Sequence, residues 1–194
     1  MELYSCFAHA QTKECKALKE FCPTCDYQQI ITLAKEWQYP SSLNSYLERV
    51  TPIKKDIEDI LEQNGVSKYY LYLALAESGG DLNNVSSKNA KGLWQLMPYI
   101  SAHYNLIITN NIDERLDYKK STIAAAKYIK RNLSAFDSNA LWAIAAYNAG
   151  GSNLKKLTNY KKGMSIKTVK PKSYSSYALA ITVIKMIYTA ECSE

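Results

Sequence analysis

The stretch Tyr69-Tyr70-Leu71-Tyr72-Leu73-Ala74-Leu75-Ala76, followed at once by Glu77, is apolar or aromatic at every position before the acid. A helix reads that way when none of its faces meets water. The run predicts a helix buried on all sides, the central one of its domain, with a carboxylate at its end. Glu77 stands one turn from Leu73, so that carboxylate lies against apolar surface. Desolvation there favours the neutral acid and raises its pKa, which is what a general acid near neutral pH requires. The plainer alternative is a helix-terminal glutamate that reaches solvent.

Outward from this run, apolar residues recur at helical spacing almost throughout. Upstream, Ile30, Leu33, Ala34 and Trp37 define an amphipathic helix closed by Pro40, and Leu43, Leu47 and Val50 mark a short second one. Thr51-Pro52 is a cap and first-turn pair, after which Ile53, Ile57, Ile60 and Leu61 share a face until Asn64-Gly65 stops it. Ser67 opens the next segment. Downstream, helices are expected over Ser121–Ala135, with Ile123, Ala126 and Ile129 inward, and over Ser138–Asn148, stopped by Gly150-Gly151. A last one runs over Ser175–Ala190 on Tyr177, Ile181, Ile184 and Tyr188. Thr158 to Ser173, with Gly163 and Pro171, reads as an extended basic loop. No alternating strand run competes, so the expected fold class is all-α.

The chain has 194 residues, 47% hydrophobic and 22% charged, with seven Gly and five Pro, which suits one packed domain and excludes disorder or low-complexity repeat. Its longest apolar stretches, Leu71 to Ala76 and Ala178 to Ile184, fall far short of the roughly 18 to 20 residues that span a bilayer. The net charge of +6 is uneven: from Ser138 to Ala190 there is no Asp or Glu, but eight lysines from Lys155 to Lys185. Such a half favours anionic partners. No zinc-finger spacing, basic heptad region or ribonucleoprotein motif points to nucleic acid, whereas an acidic polymer such as bacterial cell wall, with carboxylates on its peptide stems, fits the charge.

Cysteines stand at Cys6, Cys15, Cys22, Cys25 and Cys192. Ala8-His9-Ala10 has the small-x-small form of a signal-peptidase site, so residues 1–10 read as the remnant of an export signal. Cleavage there removes Cys6 and leaves four cysteines for two disulfides in an oxidising compartment. Leu3-Tyr4-Ser5-Cys6 read as a poor lipobox is the lipoprotein alternative. Zinc on Cys15, Cys22, Cys25 and Cys192 is another, and sequence does not choose among the three disulfide connectivities. A cysteine-bearing helical annex is expected over 11–50, ahead of a catalytic domain over 51–190. With only His9 and His103, the chain offers no Ser-His-Asp order and no clustered metal site, and glycine patterns for phosphate or dinucleotides are absent. No cofactor or metal is expected. Trp94 and Trp142 read as core rather than sugar platforms.

Glu77-Ser78-Gly79-Gly80, Gly92-Leu93-Trp94-Gln95-Leu96-Met97-Pro98 and Ala146-Tyr147-Asn148-Ala149-Gly150 resemble, in order and spacing, the three signatures of the soluble-type lytic transglycosylases (SLT domain) and their goose-type lysozyme relatives. The resemblance covers about Pro52 to Tyr188. It implies an all-α, lysozyme-like domain that cuts the bond between N-acetylmuramic acid (MurNAc) and N-acetylglucosamine (GlcNAc) in peptidoglycan. Glu77 then matches the single catalytic acid/base. Gln95, Met97, Tyr147 and Asn148 match residues lining the sugar groove, and Ser86 matches a serine near the reacting sugar. A fourth element, Glu-Thr-x-x-Tyr, is half present: Pro171 and Tyr177 fit it, while Ser173 and Tyr174 replace its Glu-Thr pair. Tyr177 is the expected contact there.

The implied activity is a lytic transglycosylase working on peptidoglycan strands in the bacterial envelope, periplasmic or secreted. Glycosidases that use water employ two carboxylates, and this groove offers one. The rival is a goose-type hydrolytic muramidase, whose branch carries Gly-Leu-x-Gln-Val-Asp. Met97 stands where that acid would be, and Asp81 is the remaining candidate for a second carboxylate. A rival of another class is a factor that docks a secretion or conjugation machine on the wall.

Overall fold

The computed structural model describes residues 15–23, 42–166 and 174–192. The helices of that part are α1 (Lys16–Phe21), α2 (Leu43–Val50), α3 (Lys54–Gln63), α4 (Leu71–Ser78), α5 (Pro98–His103), α6 (Tyr118–Ala135), α7 (Ala140–Ala149), α8 (Gly151–Thr158) and α9 (Tyr174–Cys192). Among the described residues there is no sheet, only isolated bridges pairing Val85 with Lys91, Lys91 with Leu96 and Ile108 with Asp113. The fold is all-α. The helix expected around Ile30 to Trp37, and Cys6, Cys25, Pro171 and Ser173, lie outside the described residues.

Local chemistry places the boundaries. Thr51–Ile53 forms a 3-10 turn with Pro52 in its first positions and leads into α3. At the far end of α3 the Asn64 side chain donates to the Ile60 carbonyl at 2.8 Å. Ser67 Oγ accepts from Tyr69 N at 3.3 Å and opens the 3-10 turn Lys68–Tyr70 ahead of α4. α6 starts three residues before the expected Ser121, because Asp117 Oδ1 accepts from Lys119 N at 2.9 Å and Lys120 N at 3.0 Å. Asn139 caps α7 in the same way, bonding Leu141 N and Trp142 N.

Two helices are submerged. In α4 the residues from Leu71 to Leu75 are all buried, as the opening run requires, and in α7 so is every residue from Ala140 to Tyr147. α7 lies between α6 and α9, and α9 also packs on α4 and α1. The alanines Ala124, Ala125 and Ala126, each at most 1% exposed, allow α6 to approach closely. Ile123 is a correction: it is 38% exposed, not inward. With α6 packed on both α3 and α7, the stripe left to solvent is Ile123, Lys127, Lys130 and Ser134, spaced four, three and four apart. Tyr188 on α9 is likewise exposed, at 37%. Trp94 and Trp142 are both core, as expected.

The Gly150-Gly151 pair ends one helix and begins another. Gly150, at φ 78°, donates to the Ala146 carbonyl, while its own carbonyl accepts from Leu154 N at 2.9 Å, so α8 follows α7 without a loop. α1 and α2, the described helices of the expected annex, contribute Leu18, Phe21, Leu43 and Val50 to the same core as the rest of the chain, and Cys22 just after α1 joins them. A disulfide joins Cys15 to Cys192, 177 positions away, and Cys22 is also disulfide-bonded. Cys15 and Cys192 are therefore not zinc ligands. On chain entropy alone a cross-link of that span contributes about 5 kcal/mol.

Candidate active site

Glu77 is the last residue but one of α4, and the turn after it sets where its carboxyl emerges. Gly79, at φ 64°, closes the helix by donating to the Leu75 carbonyl at 2.8 Å. Gly80, at φ 78°, passes so close to α2 that a Cβ there would stand 2.7 Å from the Tyr46 carbonyl oxygen. Ser78 Oγ accepts from Gly80 N at 3.1 Å, and Arg49 donates to the Gly79 carbonyl at 2.8 Å. The chain thus reverses sharply and holds Glu77 at the rim of the core. No hydrogen bond or ion pair engages its carboxyl among the described residues. Burial alone pushes its pKa up to about 7.

The facing wall is the loop from Asn84 to Met97. Gly92 is obligatory: a Cβ at this residue would lie 2.0 Å from the Arg115 carbonyl oxygen, and its φ is 75°. Gln95 is held at φ 48°, and its Nε2 donates to the carbonyls of Asn84 at 3.1 Å and Gly92 at 2.9 Å. Its Oε1 keeps no partner among the described residues. Behind the loop, Trp94 Nε1 donates to Thr122 Oγ1 at 2.8 Å, and the Tyr147 hydroxyl donates to the Trp94 carbonyl at 2.7 Å. Both bonds fasten the loop to the buried helices. Ser86 closes its own turn, with Oγ accepting from Ala90 N at 2.9 Å.

An ion cluster tightens the same loop from outside. Arg115, 1% exposed, pairs with Asp113 at 2.7 Å and donates to the carbonyls of Asn89 at 2.7 Å and Leu96 at 3.2 Å. Lys91 meets Asp113 at 3.1 Å. Arg115, then Lys91, hold the Asp113 carboxyl well below the usual carboxylate range.

The third wall is the end of α7 with the start of α9. Tyr147 is buried, and its phenol is raised well above the ordinary range, first by burial and then by the nearby Glu77. Asn148 is exposed, and its Oδ1 accepts from Ser176 Oγ at 2.8 Å and Ser175 Oγ at 3.3 Å. Together the walls enclose a groove of about 570 Å³. Glu77, Ser86, Gln95, Met97, Tyr147 and Asn148 all line it, and Glu77 is the one carboxylate among its lining residues. Asp81 lies outside, exposed, with its Oδ1 accepting from Asn83 N at 2.9 Å.

Tyr177 does not reach this groove. It is 1% exposed within α9, because two residues beyond Ser175 the helix has turned about 200° and faces the core. Ser175 is the α9 residue that lines the groove, and Tyr99, Tyr128 and Lys88 line it as well. The sequence pattern alone does not single out these four or Arg115. Ser175 and Ser176 occupy the two unspecified positions inside the half-matched motif, between Tyr174 and Tyr177, and that placement is the available signal for them. Nothing local in the sequence marks Arg115.

Residues 57–170 match the family described as the Transglycosylase SLT domain. The membrane-bound lytic murein transglycosylase D of Escherichia coli (strain K12) is 34% identical over 127 residues, covering 62% of this chain and 28% of that protein. A protein of Alteromonas sp. (strain M-1), named for tributyltin chloride resistance, is 37% identical over 90 residues, 46% of this chain and 44% of that one. This chain therefore spans less than half of the length of either relative.

Proposed function

The chain belongs to the Transglycosylase SLT family, and from that premise we propose that it is a peptidoglycan lytic transglycosylase, cleaving the MurNAc-GlcNAc β-1,4 bond and leaving 1,6-anhydroMurNAc ends. The observation that carries this reading is Glu77: a half-buried carboxyl with no hydrogen-bond or ion-pair partner among the described residues and a pKa raised to about 7, in a groove whose other lining residues include no carboxylate.

The chemistry follows from that solitude. Neutral Glu77 donates its proton to the glycosidic oxygen as the bond from C1 breaks. Positive charge develops at C1, and the 6-hydroxyl of the same sugar attacks it, aided by the large effective concentration of an intramolecular group. Glu77, now a carboxylate, takes the hydroxyl proton. The proton returns to where it began, no water is consumed, and the 1,6-anhydro ring closes. Gln95 with its free Oε1, and Asn148 held by Ser175 and Ser176, are the polar groups we assign to orienting the sugars, with Ser86, Met97 and Tyr147 completing the walls. Tyr177 supports that wall from inside the core.

A hydrolytic muramidase needs a second carboxylate to activate water. Asp81 is turned to solvent and occupied with its own turn, so the groove does not favour that reading. The substrate places the protein at the bacterial cell envelope, periplasmic or secreted. The Cys15–Cys192 disulfide supports an oxidising compartment, and no helix among the described residues is long and apolar enough to cross a membrane. Mass spectrometry of products released from purified sacculi tests the chemistry. Fragments lighter than their hydrolytic counterparts by about 18 Da, one water, are expected. Reducing ends in their place mean that an acid outside the groove activates water.

A further inference from the structure

The groove and a second hollow of about 430 Å³ beside it meet along one wall, built from Tyr99, Ile100, Tyr128, Ala149 and Asn153. Four of these present rings or hydrocarbon, and the fifth is an amide. Such a wall suits a ligand with an apolar face and polar edges. Within it Tyr128 and Ile100 are buried, whereas Tyr99 is 65% exposed, the most exposed large hydrophobic side chain among the described residues.

Local structure holds Tyr99 in that position. Pro98 opens α5, and Ser101 Oγ donates to the Met97 carbonyl at 3.1 Å, so the turn that carries Tyr99 is closed on itself. Ile100 and Ser101, the next two residues, are both buried and root that turn in the core. Just upstream, the Trp94 and Leu96 carbonyls are gripped by Tyr147 and Arg115. The backbone beneath the ring is therefore fixed on both sides. The ring itself is unengaged, with no hydrogen bond, ring contact or cation upon it among the described residues. An aromatic face left in water on a rigid support is stabilised by any apolar surface that covers it.

We propose that Tyr99 is a stacking platform for a pyranose ring of the glycan strand, and so a residue that sets how tightly the groove holds carbohydrate. The assignment rests on the proposed function, since it requires a strand lying in the groove. A β-linked pyranose carries axial C–H bonds on its faces and its hydroxyl and amide groups around its rim. Laid on the Tyr99 ring, it buries one face against aromatic surface and leaves the rim to water and to Asn153. Asn153 Nδ2 donates to the Ala149 carbonyl at 3.2 Å, which leaves Oδ1 to accept from a rim hydroxyl or amide. Tyr99 grips the sugar equally before and during the reaction, so it acts on binding rather than on proton transfer at Glu77.

The test combines steady-state kinetics on peptide-stripped glycan strands with calorimetric binding of the same strands to the full chain carrying Glu77→Gln. Tyr99→Ala and Tyr99→Leu are expected to raise KM and Kd about tenfold, the scale of one aromatic contact with its burial, with kcat little changed. Tyr99→Phe and Tyr99→Trp keep a flat ring and are expected to stay within about twofold of wild type. The side chain is exposed, so helical circular dichroism should be the same in all four variants. A leucine variant that binds as tightly as wild type, or an alanine variant with unchanged Kd, overturns the platform. So does a phenylalanine variant as weak as alanine, because the hydroxyl and not the face then carries the contact. An inactive wild-type protein whose Glu77→Gln form binds no strand overturns the transglycosylase reading instead.

Discussion

Glu77 and Asp113 are carboxylates beside the same loop, Asn84 to Met97, and they live under opposite conditions. Asp113 is met by Arg115 and Lys91 and held fully charged, and its partners fasten the loop whose carbonyls Arg115 also grips. Glu77 has no hydrogen-bond or ion-pair partner among the described residues, and burial drives its pKa up to about 7. A buried charge with partners adds rigidity, whereas an acid buried without them costs stability whenever it ionises. The first arrangement builds the wall of a site. The second supplies a proton that is ready to leave.

The largest effect expected from this contrast is catalytic. Glu77→Gln keeps the size of the side chain and removes the proton, so turnover of sacculi should fall by roughly 10²–10⁴-fold with the helical circular dichroism unchanged. A folded variant with substantial turnover would mean that the unpartnered acid is incidental. Next, Arg115→Met should leave Asp113 and two loop carbonyls short of donors, costing about 3–5 kcal/mol in urea unfolding. A neutral result there would show the cluster to be ornamental, with Lys91 sufficient for Asp113. The smallest effect has the opposite sign. With its pKa raised from 4.5 to about 7 in the folded state, Glu77 binds its proton more tightly folded than unfolded. Its contribution is therefore most favourable below about pH 4.5, declines as pH rises through that window, and levels off above about 7. Glu77→Gln should thus be more stable than wild type by about 3 kcal/mol at pH 8 and no different near pH 4, as read from paired denaturation curves.

The parts of this contrast differ in how they show in the sequence. The buried run before Glu77 was legible because eight successive apolar or aromatic residues allow no other helix, and the glycines after it mark the turn. The caps at Thr51-Pro52 and Asn64-Gly65 are local chemistry and read directly. What failed to read depends on packing between distant segments. Ile123 matches the helical period as well as Ile129 does, and only the positions of α3 and α7 turn it outward. Gly150-Gly151 signals a stop, yet a glycine is equally at home where one helix hands over to the next, and α8 was missed. Arg115 carries no local mark, because a cation becomes structural only when the fold brings Asp113 and the loop carbonyls around it. Tyr177 followed a motif that the chain half keeps, but helix phase sends its ring inward and leaves Ser175 at the groove.

The bond between Cys15 and Cys192 makes the segment they bracket a closed ring of chain that contains α1 through α9. A ring cut once is still a single molecule. A protease that nicks the exposed turn at Lys161 to Gly163 would leave the walls of the groove, and the two segments that carry them, covalently tethered. Such a nick appears as two bands on a reducing gel and as one without reductant. The same link would keep a once-cut chain in one piece wherever proteases reach it.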